Sequence, residues 1–352
     1  MPLKTVYCEA LERTVKFGRR APVSRGFAPL FSRYAANLPA PPANANYATV
    51  PTMTALRNIY GNDTLGDCVI AGGYHDVGLW TGNANGLFVA TDAQIIADYS
   101  AIGGYVPGNP NTDQGCDEET ALNYWVQHGF ANGTKLAGWL RVDATNQTQV
   151  QQALWLFESV YFGINLPDKW VNPMPSADGF TWDVAGKADP ANGHCVVGCA
   201  YNATGVLIDT WGLLGTVTWG AVKKYAAAAS NGELYLLLSP DSIAKATAKA
   251  PNGFDWPTLI SDFNAMGGNL PVPDPNPPNP TPPTPTPPTP TPPVPTPPAP
   301  TATGTCTVTL SGITYTGTLA ATAKGESDPV DIDDELAEHD AIDAVMAEFP
   351  TS

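Results

Sequence analysis

The chain has 352 residues, enough for one domain of ordinary core size plus appendages. Its formal net charge is -16, but residues 321–352 hold ten acidic residues and one Lys, so about nine of those units sit in that tail and the main domain is only mildly acidic. No Lys/Arg cluster of the kind that replaces nucleic-acid counterions is present, and no apolar run approaches the roughly 20 residues of a membrane span, so neither nucleic acid nor membrane is an expected partner.

Residues 1–49 show little periodicity and end in a Pro/Ala/Asn-rich stretch over 38–50. They read as an irregular arm lying on the domain, either a structural strap or a pro-segment that occupies a cleft. Glu9, Glu12, Lys16 and the pair Arg19-Arg20 occur early with no apolar h-region, so Sec-type export is not expected. A cytoplasmic or particle-associated protein would carry no such mark. The main domain spans residues 50–250. Its first helix is predicted over 68–80, with Val69, Ile70, Tyr74 and Val77 facing inward, and Gly72, Gly73 and Gly78 imply close packing because they cost helix propensity. A second helix fits 117–128, where Asp117, Glu118 and Glu119 suit the positive end of the dipole, and a third fits 148–158. After that, short apolar or alternating runs at 160–165, 194–201, 205–209, 216–219 and 233–238 read as strands, with a helical interval at 221–229. Helices first and a mostly antiparallel sheet second make an α+β domain. Residues 251–270 connect it to residues 271–300, which hold half of the 36 prolines in PTPP-like units and predict a stiff polyproline II spacer of up to about 90 Å. Beyond lies a small acidic module, 301–352, with a hairpin expected over 305–319, turning near Ser311-Gly312, and an amphipathic helix over 332–349. Marginal alone, it reads as a docking element for a protein partner.

Six cysteines, Cys8, Cys68, Cys116, Cys195, Cys199 and Cys306, are scattered rather than framework-like. Cys195 and Cys199 read as packed small hydrophobes and not as a metal clamp, and no cofactor is expected. Cys68 differs, because the polar loop 61–67 runs straight into its helix. A cysteine in a first helical turn meets backbone N–H groups and the positive dipole end, both of which favour thiolate. Asp67 works against that unless its carboxylate caps the helix. A buried hydrophobic cysteine remains the ordinary alternative. Of the four histidines, His75 lies two turns along the same helix, about 10 Å away, which is too far for proton transfer. His128 ends the second helix and His339 lies beyond the spacer. His194 opens a strand, where regular backbone bonds hold it well placed to meet a helix N-terminus, although a satisfied turn histidine is the plain alternative. Asp209 ends the adjoining strand and is expected beside His194, accepting the Nδ1 proton and leaving Nε2 to face Cys68.

The order Cys68, His194, Asp209 resembles the papain-like cysteine hydrolases over roughly residues 50–240. Asn62, six residues before the cysteine, stands where that family has glutamine. Gly115-Cys116 looks like its Gly-Cys motif, Asp209-Thr210-Trp211-Gly212 resembles its Asn-Ser-Trp-Gly signature, and Trp219-Gly220 matches a second such pair. Departures are Leu65 in place of a disulfide cysteine, Val69 in place of a tryptophan, Asp209 for asparagine and the shorter Asn62. The block 61–68 is also similar to that of uncharacterised papain-like proteins of bacteria and tailed phages. The resemblance implies a thiol hydrolase acting on a peptide or other amide, with Cys68 as nucleophile, His194 as base, Asp209 orienting it and Asn62 in the oxyanion site. The other reading is a structural or adaptor component of a phage particle that uses this scaffold with an idle site, which the spacer and end module favour.

Overall fold

In the computed structural model the helix Cys68–Asn83 lies against the middle of a sheet, and its glycines explain how close it comes. A Cβ at Gly72 would stand 2.9 Å from the Tyr161 ring and 3.0 Å from Cys195 Sγ, and one at Gly78 would be 2.2 Å from Ala55 Cβ. The close packing expected from their low helix propensity is therefore real. The structure describes residues 2–23, 29–249, 254–265, 303–310 and 313–320.

The arm opens with an antiparallel hairpin, β1 (Thr5–Cys8) and β2 (Arg13–Lys16), so its first part is regular although its sequence shows little periodicity. A two-residue strand, β3 (Ala45–Asn46), follows. The main strands are β4 (Gly138–Arg141), β5 (Val160–Asn165), β6 (Phe180–Trp182), β7 (Gly193–Tyr201), β8 (Gly205–Thr210), β9 (Leu213–Thr218) and β10 (Glu233–Leu238). They form one sheet in the order β4-β10-β5-β7-β8-β9-β6, with β3 joining β7. Every pairing is antiparallel except β6 with β9. Helices precede most of the sheet in the chain, as the α+β reading expects.

Both sheet faces are covered, which is why the strands read as near-continuous apolar runs. One face turns Tyr161, Cys195, Val197, Tyr235 and Leu237 toward the Cys68 helix and the helix Glu118–Gln127. The other buries Phe162, Ile164, Val196, Ile208 and Leu236 with the helix Gln147–Phe157. Asp117 caps its helix by accepting from Thr120 N, and Asn146 does the same for Gln149 N. A helix over Asp92–Gly103 goes beyond the sequence expectation, although Thr91 and Gln94 form a reciprocal capping box and Gly104 ends it in the left-handed region. Strands β4 and β6 are likewise additions, only four and three residues long. Trp211 and Gly212 both have positive φ, forming the two-residue turn that locks Thr210 opposite Leu213.

The hairpin β11 (Thr303–Leu310) and β12 (Ile313–Ala320) is a separate unit, paired in register from Thr303↔Ala320 to Leu310↔Ile313. The Pro-rich spacer and the acidic helix expected over 332–349 lie outside the described residues. Among the described residues no helix is long and apolar enough to cross a membrane.

Candidate active site

Cys68 is the first residue of its helix, and His194 is the second residue of β7. Cys68, His194, Asp209 and Asn62, together with His75 and Thr210, line one cavity of about 10 Å³, roughly the space of a single water. The structure thus brings all four expected residues into one pocket, but it wires them differently from the expectation.

His194 Nε2 lies 3.0 Å from Thr210 Oγ1, and its Nδ1 is buried with no hydrogen-bond partner. Asp209 instead meets His75, whose Nε2 is 3.1 Å from Asp209 Oδ2. Both parts of the expected triad wiring are corrected: Thr210 rather than Asp209 orients the ring, and Nδ1 rather than Nε2 is the free nitrogen. Strand parity gives the reason. Asp209 pairs with Val197, on the face that packs against the Cys68 helix, so it turns toward His75 on that helix. Thr210, one residue on, turns to the opposite face, which His194 shares with Val196. Alternation puts residues 209 and 210 on opposite faces, but which of them shares a face with His194 is set by the β7–β8 register, and the family signature, matched position by position, does not show it.

His75 Nδ1 is 3.0 Å from the Ala55 carbonyl and must donate to it, so in the neutral ring Nε2 is an acceptor. Burial holds His75 down to about 3 and pushes the Asp209 carboxyl well above its ordinary range. The pair is therefore neutral, with the carboxyl proton on Asp209 donated to His75. Burial also holds His194 well below 6.5, with the nearby His75 as a second cause. His75, too far from Cys68 to serve it as a base, matters as the partner of Asp209. His128 is exposed at its helix end, and His339 lies outside the described residues.

Asp67 does not cap the helix; its carboxyl is buried with neither oxygen hydrogen-bonded, and burial pushes it well up. Cys68 is pushed up to about 12, first by burial and further by the carboxyl groups of Asp67 and Glu118, against which the backbone N–H groups of Cys195 and Gly18 work.

Gly18 belongs to the arm, and the arm is what buries the site. Residues 16–20 cross the pocket as an extended strap. Lys16 N donates to Asn62 O at 3.0 Å, and Asn62 Nδ2 donates to Lys16 O at 3.2 Å and to Leu65 O at 2.9 Å. Trp211 Nε1 also reaches Lys16 O. Gly18 N and Arg19 N both donate to Gly193 O, while Cys116 N donates to Gly18 O and Arg20 N to Cys116 O. A Cβ on Gly18 would stand 2.0 Å from Gly66 O, so only glycine passes there. Phe17 packs edge-on to Trp211, which itself stacks on His194 at 3.7 Å between ring centres. Cys68 and His194 are each left only 1% exposed.

Beside the strap lies a second polar cluster that sequence reasoning did not single out. Arg19 is wholly buried against Glu118 and Glu233.

Among solved structures the chain is similar to xylellain, a cysteine protease from Xylella fastidiosa, with a TM-score of 0.50 at 11% identity, covering 68% of this chain and 99% of that one. It is also similar to a Carica candamarcensis cysteine protease solved in complex with E-64, with a TM-score of 0.41 and 15% identity over 56% of this chain and 99% of that one. A third is digestive procathepsin L 3 of Tenebrio molitor larval midgut, at 0.44 and 12% over 62% and 75%. No protein-family model and no curated protein matches the sequence. The likeness to xylellain shows the fold of the main domain, which is that of the papain-like cysteine proteases.

Proposed function

We propose that this protein is a thiol hydrolase of peptide or other amide bonds, held latent by its own N-terminal arm, with residues 1–49 acting as a pro-segment. The observation that carries the reading is that Cys68, at a helix N-terminus, and His194, with an uncommitted Nδ1, line the same small pocket. Once the strap leaves, water enters and the burial that raises the thiol is relieved, while the helix N-terminus still favours thiolate. His194 Nδ1 takes the Cys68 proton, with Thr210 holding the ring through Nε2. The sulfur forms a bond to the substrate carbonyl carbon, and the oxyanion accepts from Cys68 N–H and from Asn62 Nδ2, a group now donating to the Lys16 carbonyl of the strap. The C–N bond breaks as His194 gives its proton to the leaving amine. Water then adds to the acyl-enzyme and displaces the thiol, yielding a carboxylic acid. Asp209 and His75 form a neutral buried pair on the helix side of the pocket.

A second reading is an idle scaffold with an adaptor role, and the thiol raised to about 12 beneath a hydrogen-bonded strap favours it. Gly18→Ala in the full chain separates the two, because the added Cβ collides with Gly66 O and displaces the strap. A latent hydrolase then alkylates with iodoacetamide at Cys68 at least about tenfold faster than wild type, and loses that gain when His194→Ala is added. Labelling of Cys68 no faster than that of Cys195 or Cys199 in the same folded variant would sink the hydrolase reading.

A further inference from the structure

The strap does more than cover Cys68: it delivers one side chain into a pocket built by the body of the protein. Arg19 Nε lies 2.9 and 2.8 Å from the two Glu118 carboxylate oxygens. Its Nη2 is 2.7 Å from Glu233 Oε2 and 3.0 Å from the Asn231 carbonyl, and Nη1 is 3.4 Å from Asn165 Oδ1. Two carboxylates and two amide oxygens thus surround the guanidinium, matching a planar fork of donors as they could not match the compact ammonium of lysine. The receptor groups hold their places by contacts of their own. Tyr235 hydroxyl and Arg141 both reach Glu233 Oε1, and Glu118 stands in the first turn of its helix. Room for the guanidinium exists because position 163 is glycine, where a Cβ would fall 2.1 Å from Glu118 Oε1 and 2.3 Å from Arg19 Nε.

The backbone on either side is gripped as an extended ligand. Gly193 O, one residue before His194, accepts from both Gly18 and Arg19, and Arg19 bridges Cys116. Removing the strap would leave the buried Glu118 without its cation and Glu233 with only the half-buried Arg141 at 3.4 Å, an arrangement that a dry pocket disfavours. Any extended chain that takes the place of the strap lays a side chain over the same opening. Resting on the hydrolase reading above, we propose that the Glu118–Glu233 pocket is an arginine-recognition subsite, occupied by Arg19 in this state and by an arginine side chain of the substrate polypeptide when the strap is displaced.

The test uses the full chain carrying Arg19→Ala and Cys68→Ser, so that binding is read without turnover. The peptide acetyl-Phe-Gly-Arg-Arg-amide, which copies residues 17–20, and analogues with Lys or Leu in place of the first Arg are titrated by tryptophan fluorescence. Arginine at that position is expected to bind at least about tenfold more tightly than either analogue, with the preference lost on adding Glu233→Gln. Equal affinities, or no binding of any peptide to the folded variant, would overturn the assignment. Should Arg19→Ala prove unable to fold alone, refolding it with millimolar ethylguanidinium or ethylammonium decides the matter: recovery with the guanidinium salt only supports the pocket, and equal yields overturn it. Because neither binding measurement depends on the Cys68 thiol, the subsite and the hydrolase can each fail while the other stands.

Discussion

The pocket around Cys68 and the pocket around Arg19 are both buried and both closed by the same strap, yet their polar atoms are treated in opposite ways. Around Arg19 each charged group is paired: the guanidinium with Glu118 and Glu233, and Arg141 with Glu119 and Glu233. Around Cys68, His194 Nδ1, Asp209 Oδ1 and both oxygens of Asp67 are buried with no hydrogen bond, and burial drives those groups toward their neutral forms. A paired ionic cluster fixes geometry. A cluster with uncommitted atoms is costly to keep and is the place where chemistry is to be sought.

The contrast can be broken most forcefully at the ionic cluster. Glu118→Ala removes one of the two carboxylates paired with the buried guanidinium of Arg19 and leaves its Nε unpaired, and is expected to destabilise the protein by about 3 kcal/mol in urea unfolding; a loss under about 1 kcal/mol would mean that the cluster does not anchor the strap. At the other pocket the expected signature is a dependence on pH. His75 is held at about 3 in the folded state against 6.5 in the unfolded chain, so its contribution is fully present above 6.5 and is lost as pH falls toward 3. Relative to His75→Gln, wild type should lose about 2 kcal/mol between pH 7.5 and pH 5, read as a fall in urea midpoint, and parallel curves for the two proteins would contradict the burial argument. Thr210→Val leaves His194 Nε2 unpaired, with an expected cost of about 1 kcal/mol. In the Gly18→Ala background it should also slow Cys68 alkylation, and an unchanged rate would remove Thr210 from its orienting role. The smallest effect sharpens the contrast from outside. Arg13 reaches Asp63 at 3.3 Å from a half-exposed position, and Arg13→Ala should shift stability by no more than about 0.5 kcal/mol, although it too joins the arm to the body.

Several features are legible in the residues alone. The Cys68 helix, the capped helix at Glu118, the strands at 160–165 and 233–238 and the hairpin at Thr303–Ala320 follow from local periodicity, caps and turn residues, which act over a few residues and leave their mark there. Cys68 and His194 stand out because a helix N-terminus and a strand opening are local features with chemical consequences. What eludes the sequence are choices between neighbours made at a distance. Whether Asp209 or Thr210 meets His194 depends on which sheet face the Cys68 helix covers, a question that one residue of register reverses.

The arm shows the same division on a larger scale. Its composition marks it as a segment lying on the domain, strap or pro-segment, because it offers too little apolar periodicity to build a core of its own. That residues 16–20 lie across the site, that Gly18 is the residue able to pass Gly66, and that Arg19 meets Glu118 and Glu233 from 99 and 214 positions away were settled only by the tertiary fold. The sequence determined which groups were available and which short segments could be regular. The tertiary structure decided which of them met, because burial, charge pairing and strand register are properties of contacts between distant parts of the chain, and no local window contains them.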